Sequence, residues 1–145
     1  MAKIQLQVTG ISKGLTSTIT AGTHTFHIDE PESQGGKNKG ANPLQTLLGA
    51  LIGCENIIAN MVAKELNFVH EGISFSVKGE LDPRGFKGEP NVRTYFDKVE
   101  ISAEVKTDEP EDRLKKLQEL TDSRCPVFNT LKSAGVELVT SWKKV

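Results

Sequence analysis

The sequence predicts an α+β fold in which one long central helix is laid on a mostly antiparallel sheet. Three observations carry that expectation. Several stretches on either side of the middle alternate apolar and polar residues, the mark of half-buried strands. The run PLQTLLGALIGCENIIANMVAKEL, residues 43–66, is apolar around most of a helical circumference, as a central helix must be. Two shorter helical patterns follow among the later strands, so helices and strands do not alternate as they do in a parallel α/β fold.

Residues 3–8, KIQLQV, alternate and read as a first strand, and residues 15–28, LTSTITAGTHTFHI, read as two threonine-rich strands about a turn at Ala21 and Gly22. Residues 29–41, DEPESQGGKNKGA, are polar and glycine-rich, and they are long for a loop inside a compact domain, the kind that tends to be functional or mobile. Asn42 is a good helix cap and Pro43 suits the first helical position, where a missing N–H costs nothing. The helix they open can run to about Asn67, roughly 36 Å at 1.5 Å per residue. Gly49, Ala50, Gly53, Ala59 and Ala63 are small, so other backbones can approach closely and offset the ~1 kcal/mol that each helical glycine costs.

Residues 73–81 alternate cleanly, residues 82–90 form a turn-rich loop, and residues 92–105 alternate again as the second arm of a hairpin. Residues 107–120 have Thr107 or Asp108 as a cap, acids in the first turn and Leu114, Leu117 and Leu120 on one stripe, which describes an amphipathic surface helix. A short helix over residues 125–135, closed by Gly135, precedes a last strand at residues 136–142. The order is β-β-β-α-β-β-α-α-β, without internal repeats, and a chain of 145 residues is expected to form a single domain.

With 18 basic and 19 acidic residues the net charge is −1, and no block of like charge offers a surface to nucleic acid or to an acidic membrane. The N-terminal MAKIQLQVTG lacks the apolar run of a secretory signal, and Gly49, Gly53, Glu55 and Asn60 interrupt the longest apolar stretch, which reads against a bilayer span. A cytoplasmic location is therefore expected. In that reducing compartment a permanent disulfide is disfavoured, which leaves the two cysteines as packing residues or as redox-active thiols. A metal site is not expected, since Cys54 and Cys125 stand far apart and His24, His27 and His70 hold no ligand-like spacing to them; nor is any cofactor.

Cys125 directly precedes a proline that suits a helix start. Its sulfur then sits near free backbone N–H groups and the positive end of a dipole, a position that lowers a thiol pKa, and Arg124 adds to the effect if its side chain turns the same way. Cys54 differs. It lies among leucines and isoleucines, with Leu51 one turn before it, where a neutral thiol is comfortable and a charged one needs a positive partner.

A proline opening a long helix, an apolar stretch ending GALIGC, and a second cysteine in RCPVFNTL ahead of a final strand together resemble the OsmC/Ohr family of thiol-dependent hydroperoxide reductases. The likeness extends over nearly the whole chain and includes the order of strands and helices. It implies an intertwined homodimer with its two central helices back to back and its active sites at the subunit interface, which accounts for the all-round apolarity of residues 43–66. It also implies a two-cysteine peroxidase cycle. Cys54 would attack the peroxide and become a sulfenic acid, Cys125 would resolve it as a disulfide, and an external dithiol would reduce that disulfide. The apolar wall about Cys54 favours an organic hydroperoxide over hydrogen peroxide, because burying an apolar substituent gains roughly 25 cal/mol per Å².

Peroxide-reducing members of the Ohr branch carry a glutamate directly after the helix-opening proline, paired with an arginine from the N-terminal strands. Here Leu44 follows Pro43 and the first strands hold no arginine. Lys13, in GISKGL, is a candidate to replace that arginine, and Arg84, Arg93 or Arg124 can arrive from elsewhere in the chain; Arg124 and Lys13 are the leading candidates for stabilising a thiolate, with Leu51 as a candidate for the substrate wall. Glu55 follows Cys54 but points about 100° away around the helix, and an acid nearby raises a thiol pKa. These departures place the chain on the OsmC-like side of the family. They also leave open a non-catalytic OsmC-like dimer that binds an apolar small molecule at its interface, with both cysteines as core residues.

Overall fold

The computed structural model describes all residues, 1–145. Its strands and helices are β1 (Thr9–Lys13), β2 (Thr16–Ala21), β3 (His24–Ile28), α1 (Pro43–Leu66), β4 (Ile73–Glu80), β5 (Lys98–Val105), α2 (Glu111–Arg124), α3 (Pro126–Ser133) and β6 (Glu137–Lys144). The chain divides into two compact units, residues 1–47 and 48–145, with the boundary inside α1. The strands fall into two three-stranded sheets rather than one.

In the first unit β1, β2 and β3 form an antiparallel meander. Its turns hold Gly14 at φ 59° and Gly22 at φ 61°, left-handed positions that cost glycine nothing. The first strand lies at Thr9–Lys13, not at residues 3–8. β2 ends at Ala21, opposite the start of β1, and offers no further edge, so KIQLQV stays unpaired with Ile4, Leu6 and Val8 exposed. Alternation gives a segment the capacity to pair; a neighbouring strand must complete it.

Asp29 is the one buried residue of this unit. Its carboxylate accepts hydrogen bonds from the Thr16 hydroxyl at 2.8 Å and from the backbone N–H groups of Glu30, Lys39 and Lys37 at 2.8, 3.1 and 3.3 Å. Burial alone would raise its pKa, but these four donors together outweigh burial and hold the carboxyl below its usual range. The polar segment after β3 is thus tied down by one side chain. Gly40 is required there, since a Cβ would collide with the His27 carbonyl. Asn42 and Gln45 then cap α1 reciprocally: Gln45 N–H donates to Asn42 Oδ1 at 2.8 Å, and Asn42 N–H to Gln45 Oε1 at 3.0 Å.

In the second unit β4 and β5 are antiparallel, paired from Ile73 with Val105 to Glu80 with Lys98, and β6 runs parallel to β5. Two apolar clusters form its core. One gathers Ala59, Val62, Leu114, Leu117 and Trp142; the other gathers Leu51, Phe96, Val99, Ile101, Phe128 and Cys125. α1 contributes one face, Leu51, Glu55, Ala59, Val62 and Ala63, at helical spacing, while Ile57 and Met61 stand exposed. The all-round burial expected of this helix is therefore absent from the single chain. Its length of 24 residues and an 18-residue window of mean hydropathy 1.5 do meet the length and composition of a membrane span, so the interruptions at Gly49, Gly53, Glu55 and Asn60 are weaker than the sequence implied.

Two boundaries move for identifiable reasons. β5 begins at Lys98 rather than near residue 92, because the Phe96 ring packs on Gly79, where a Cβ would come within 2.5 Å of it. Arg93 meanwhile folds over the Tyr95 ring at 4.4 Å and donates to the Gly135 carbonyl at 3.2 Å, which turns the chain off the ladder. α2 begins at Glu111 because Pro110 disfavours helical geometry in the residue before it, and it runs on to Arg124, where Pro126 exerts the same effect on Cys125. Cys125 is thus an extended corner, φ −76° and ψ 115°, that ends α2 and opens α3. Gly135, at φ 89°, follows the end of α3 as expected.

Candidate active site at Cys54 and Cys125

The corner between α2 and α3 delivers Cys125 to α1. Its Sγ lies 2.9 Å from Cys54 Sγ, with the Cys125 thiol as donor. Both thiols are free. Two residues 71 positions apart in sequence are therefore already in contact. Cys125 is fully buried whereas Cys54 is partly exposed, so a molecule from solvent meets Cys54 first.

The helix-end argument for a reactive Cys125 does not survive its surroundings. The α3 N-terminus does supply a donor, Phe128 N–H to Cys125 Sγ at 3.4 Å. Burial among apolar side chains is the larger influence and pushes the thiol up to about 12, with Cys54 and Glu55 acting in the same direction. Cys125 is held as a protonated thiol. No ammonium or guanidinium is among the groups that act on it.

Arg124, expected beside the thiols, is engaged elsewhere: its Nη1 and Nη2 donate to Glu65 at 2.7 and 3.0 Å, a geometry that fixes the guanidinium away from sulfur chemistry. Leu51 is completely buried in the cluster that holds Cys125, with Cys54 packed against it, so it serves as wall rather than open contact. Lys13 ends β1 in the first unit, exposed beside the Gly14 turn. Among the histidines, His27 pairs with Thr18 and His70 with Asn60, and no group of three or more metal-capable side chains forms.

Two further carboxyls belong to this site. Glu55 has no exposed surface, and Asp122, in the last turn of α2, sits against it. With both groups ionised, Glu55 Oε1 and Oε2 and Asp122 Oδ1 have no hydrogen-bond partner. Burial, reinforced by the neighbouring Asp122, pushes Glu55 up to about 8, while the Cys125 thiol beside it pulls slightly the other way. Burial raises Asp122 too, against hydrogen bonding to Glu55, Thr140 and Gln118. The pair therefore holds a proton, and Glu55 is the group that carries it. Asp122 has a local signal that sequence reasoning missed: an acid in the final turn of a helix opposes the helix dipole and calls for another reason to be there.

This fold and this pair of sulfurs define a class, the α+β proteins built around two juxtaposed cysteines. The sequence profile described as "OsmC-like protein" matches residues 36–141, and the chain belongs to that family. A protein of Mycoplasma genitalium named hydroperoxide reductase is 28% identical over 115 residues, which is 79% of each chain. The fold is shared with an OsmC-like protein from Mycoplasma pneumoniae, at a TM-score of 0.85 and 19% identity over 99% of both chains. It is shared also with an organic hydroperoxide resistance protein OsmC from Legionella pneumophila, at a TM-score of 0.73 and 18% identity over the whole of both chains. The organic hydroperoxide resistance protein OhrB of Bacillus subtilis is similar at a TM-score of 0.67 and 21% identity, over 97% of this chain and 98% of that one.

Proposed function

We propose that the protein is a cysteine-based peroxidase that reduces organic hydroperoxides to alcohols. The observation that carries this reading is the contact between a reachable sulfur, Cys54, and a buried protonated one, Cys125, at 2.9 Å. The name of the Mycoplasma genitalium relative supports it. Cys54, as thiolate, attacks the terminal peroxide oxygen; the O–O bond breaks, the alkoxide leaves as alcohol after taking a proton, and Cys54 becomes a sulfenic acid. The Cys125 S–H, directed at Cys54 Sγ, steadies negative charge on that sulfur during attack. Cys125 then attacks Cys54 Sγ, the S–O bond breaks, water leaves, and an external dithiol reduces the disulfide by exchange. A reducing, cytoplasmic compartment fits that last step. The apolar surroundings of both sulfurs, Leu51, Phe96, Ile101 and Phe128 among them, favour a bulky organic substituent on the peroxide.

The working form in this reading is an intertwined homodimer. The first unit buries none of its apolar side chains, with Ile11 and Phe26 exposed on its strands, and α1 leaves Ile57 and Met61 uncovered. A second copy is the occupant proposed for these faces, as the resemblance to the OsmC/Ohr family implies. Cumene or tert-butyl hydroperoxide, consumed with a dithiol as reductant, is the direct assay. Cys54→Ser is expected to abolish turnover, while Cys125→Ser still consumes one equivalent and stops at a sulfenic acid that dimedone traps. Full activity in Cys54→Ser contradicts the mechanism.

A further inference from the structure

The closing of the disulfide poses a chemical problem that the two cysteines cannot solve alone. Cys125 has no exposed surface, so no solvent base reaches its proton. At a thiol pKa of about 12, roughly one molecule in 10⁵ carries the thiolate at pH 7. Once Cys54 bears a hydroxyl, Cys125 can attack only by giving up that proton to something inside the protein.

We propose that Glu55 is the proton acceptor for the Cys125 thiol in the step that closes the disulfide, and that Asp122 is the positioning residue that holds and tunes it. Glu55 occupies the α1 position next to Cys54 and is completely buried, and once it is ionised neither of its carboxyl oxygens has a donor in the protein. It lies beside the Cys125 thiol, and each group perturbs the other. Two adjacent carboxyls in an apolar core cost stability that two leucines would not, which makes a purely structural role a poor account of them. Contacts used for proton transfer are often loose at rest and tighten on reaction.

The groups around the carboxyl come from every element packed on it. α1 supplies Glu55 itself and Cys54, the α2–α3 corner supplies Cys125, and α2 supplies Asp122. Behind Asp122 stand Gln118 of α2, Thr140 of β6 and the Lys132 ammonium of α3. No cation acts directly on Glu55. The step balances: the Cys125 proton passes to the Glu55 carboxylate, Cys125 Sγ bonds to Cys54 Sγ, the Cys54 S–O bond breaks, and the departing hydroxide takes the proton from Glu55 as water. Glu55 ends as it began.

The inference rests on the peroxidase reading for its natural oxidant only, and its test uses another. With 5,5′-dithiobis(2-nitrobenzoate), a first thionitrobenzoate is released when Cys54 attacks and a second when Cys125 resolves the mixed disulfide, which isolates the Cys125 step. The wild-type second phase is expected to quicken with pH and level off near pH 8, where Glu55 becomes the carboxylate. Glu55→Gln is expected to slow that phase at least ~10-fold at pH 8 and to remove the levelling. Asp122→Asn is expected to keep the levelling but move it to lower pH, because the neighbouring negative charge is gone. A second phase unchanged in rate and profile in Glu55→Gln overturns the proposal; if that variant does not fold, an unmoved levelling point in Asp122→Asn does so. Failure of the peroxidase reading looks different: wild-type protein that consumes no organic hydroperoxide while both phases persist.

Discussion

The two units of this chain are held together by different physics. In residues 1–47 order comes from the sheet ladder, left-handed glycine turns, a reciprocal helix cap and one carboxylate that gathers four donors, with no apolar side chain buried. In residues 48–145 order comes from two apolar clusters closed over α1. Hydrogen bonds specify a shape but contribute little net stability each, about 1 kcal/mol, whereas each large buried apolar side chain contributes about 1.5–3 kcal/mol. The candidate site lies in the second unit, because a thiol pushed up to about 12 and a carboxyl pushed up to about 8 both require removal from water.

Truncation in the second unit should therefore have the largest effect. Leu117→Ala, at a fully buried position, is expected to lose about 2–5 kcal/mol in urea denaturation. The equivalent Ile11→Ala in the first unit, where the side chain is exposed, should lose less than about 0.5 kcal/mol in the isolated chain. A larger loss for Ile11→Ala that depends on protein concentration reports its cover by a second copy.

Glu55→Gln comes next, and its sign depends on pH. The folded carboxyl titrates at about 8 against an ordinary 4.5, so between those values the folded chain holds a proton that the unfolded chain has lost. Wild-type stability accordingly falls as pH rises from about 4.5 to about 8. Glu55→Gln flattens that decline, matching wild type at the acid end and exceeding it by on the order of a few kcal/mol above pH 8. Urea midpoints across this range read the difference. Asn42→Ala removes only the α1 cap, and about 1 kcal/mol is expected, seen as a small fall in the same midpoint at every pH.

What the sequence made legible follows the same division. Local signals were reliable: Asn42 and Pro43 open α1, Gly135 closes the last short helix, and the alternation of ISFSVKGE is a strand. Non-local decisions were not. KIQLQV alternates as well as any strand but finds no edge to pair with, and the second arm of the hairpin starts late because Phe96 was taken by Gly79. At the site, the two cysteines are legible through a family resemblance, yet the charge state of Cys125 is not, since a helix end can be read from sequence while depth of burial cannot. Glu55 is legible as an acid beside Cys54, but nothing local to it shows that Asp122 comes to meet it.

The central claim is that Cys54 and Cys125 form a working redox couple. Its most direct test is the mass of the reduced protein after one equivalent of an organic hydroperoxide, followed by peptide mapping. Loss of two hydrogens, located to a bond between Cys54 and Cys125, is the expected result. An unchanged mass, or a stable oxygen adduct on Cys54 with Cys125 still a free thiol, contradicts it.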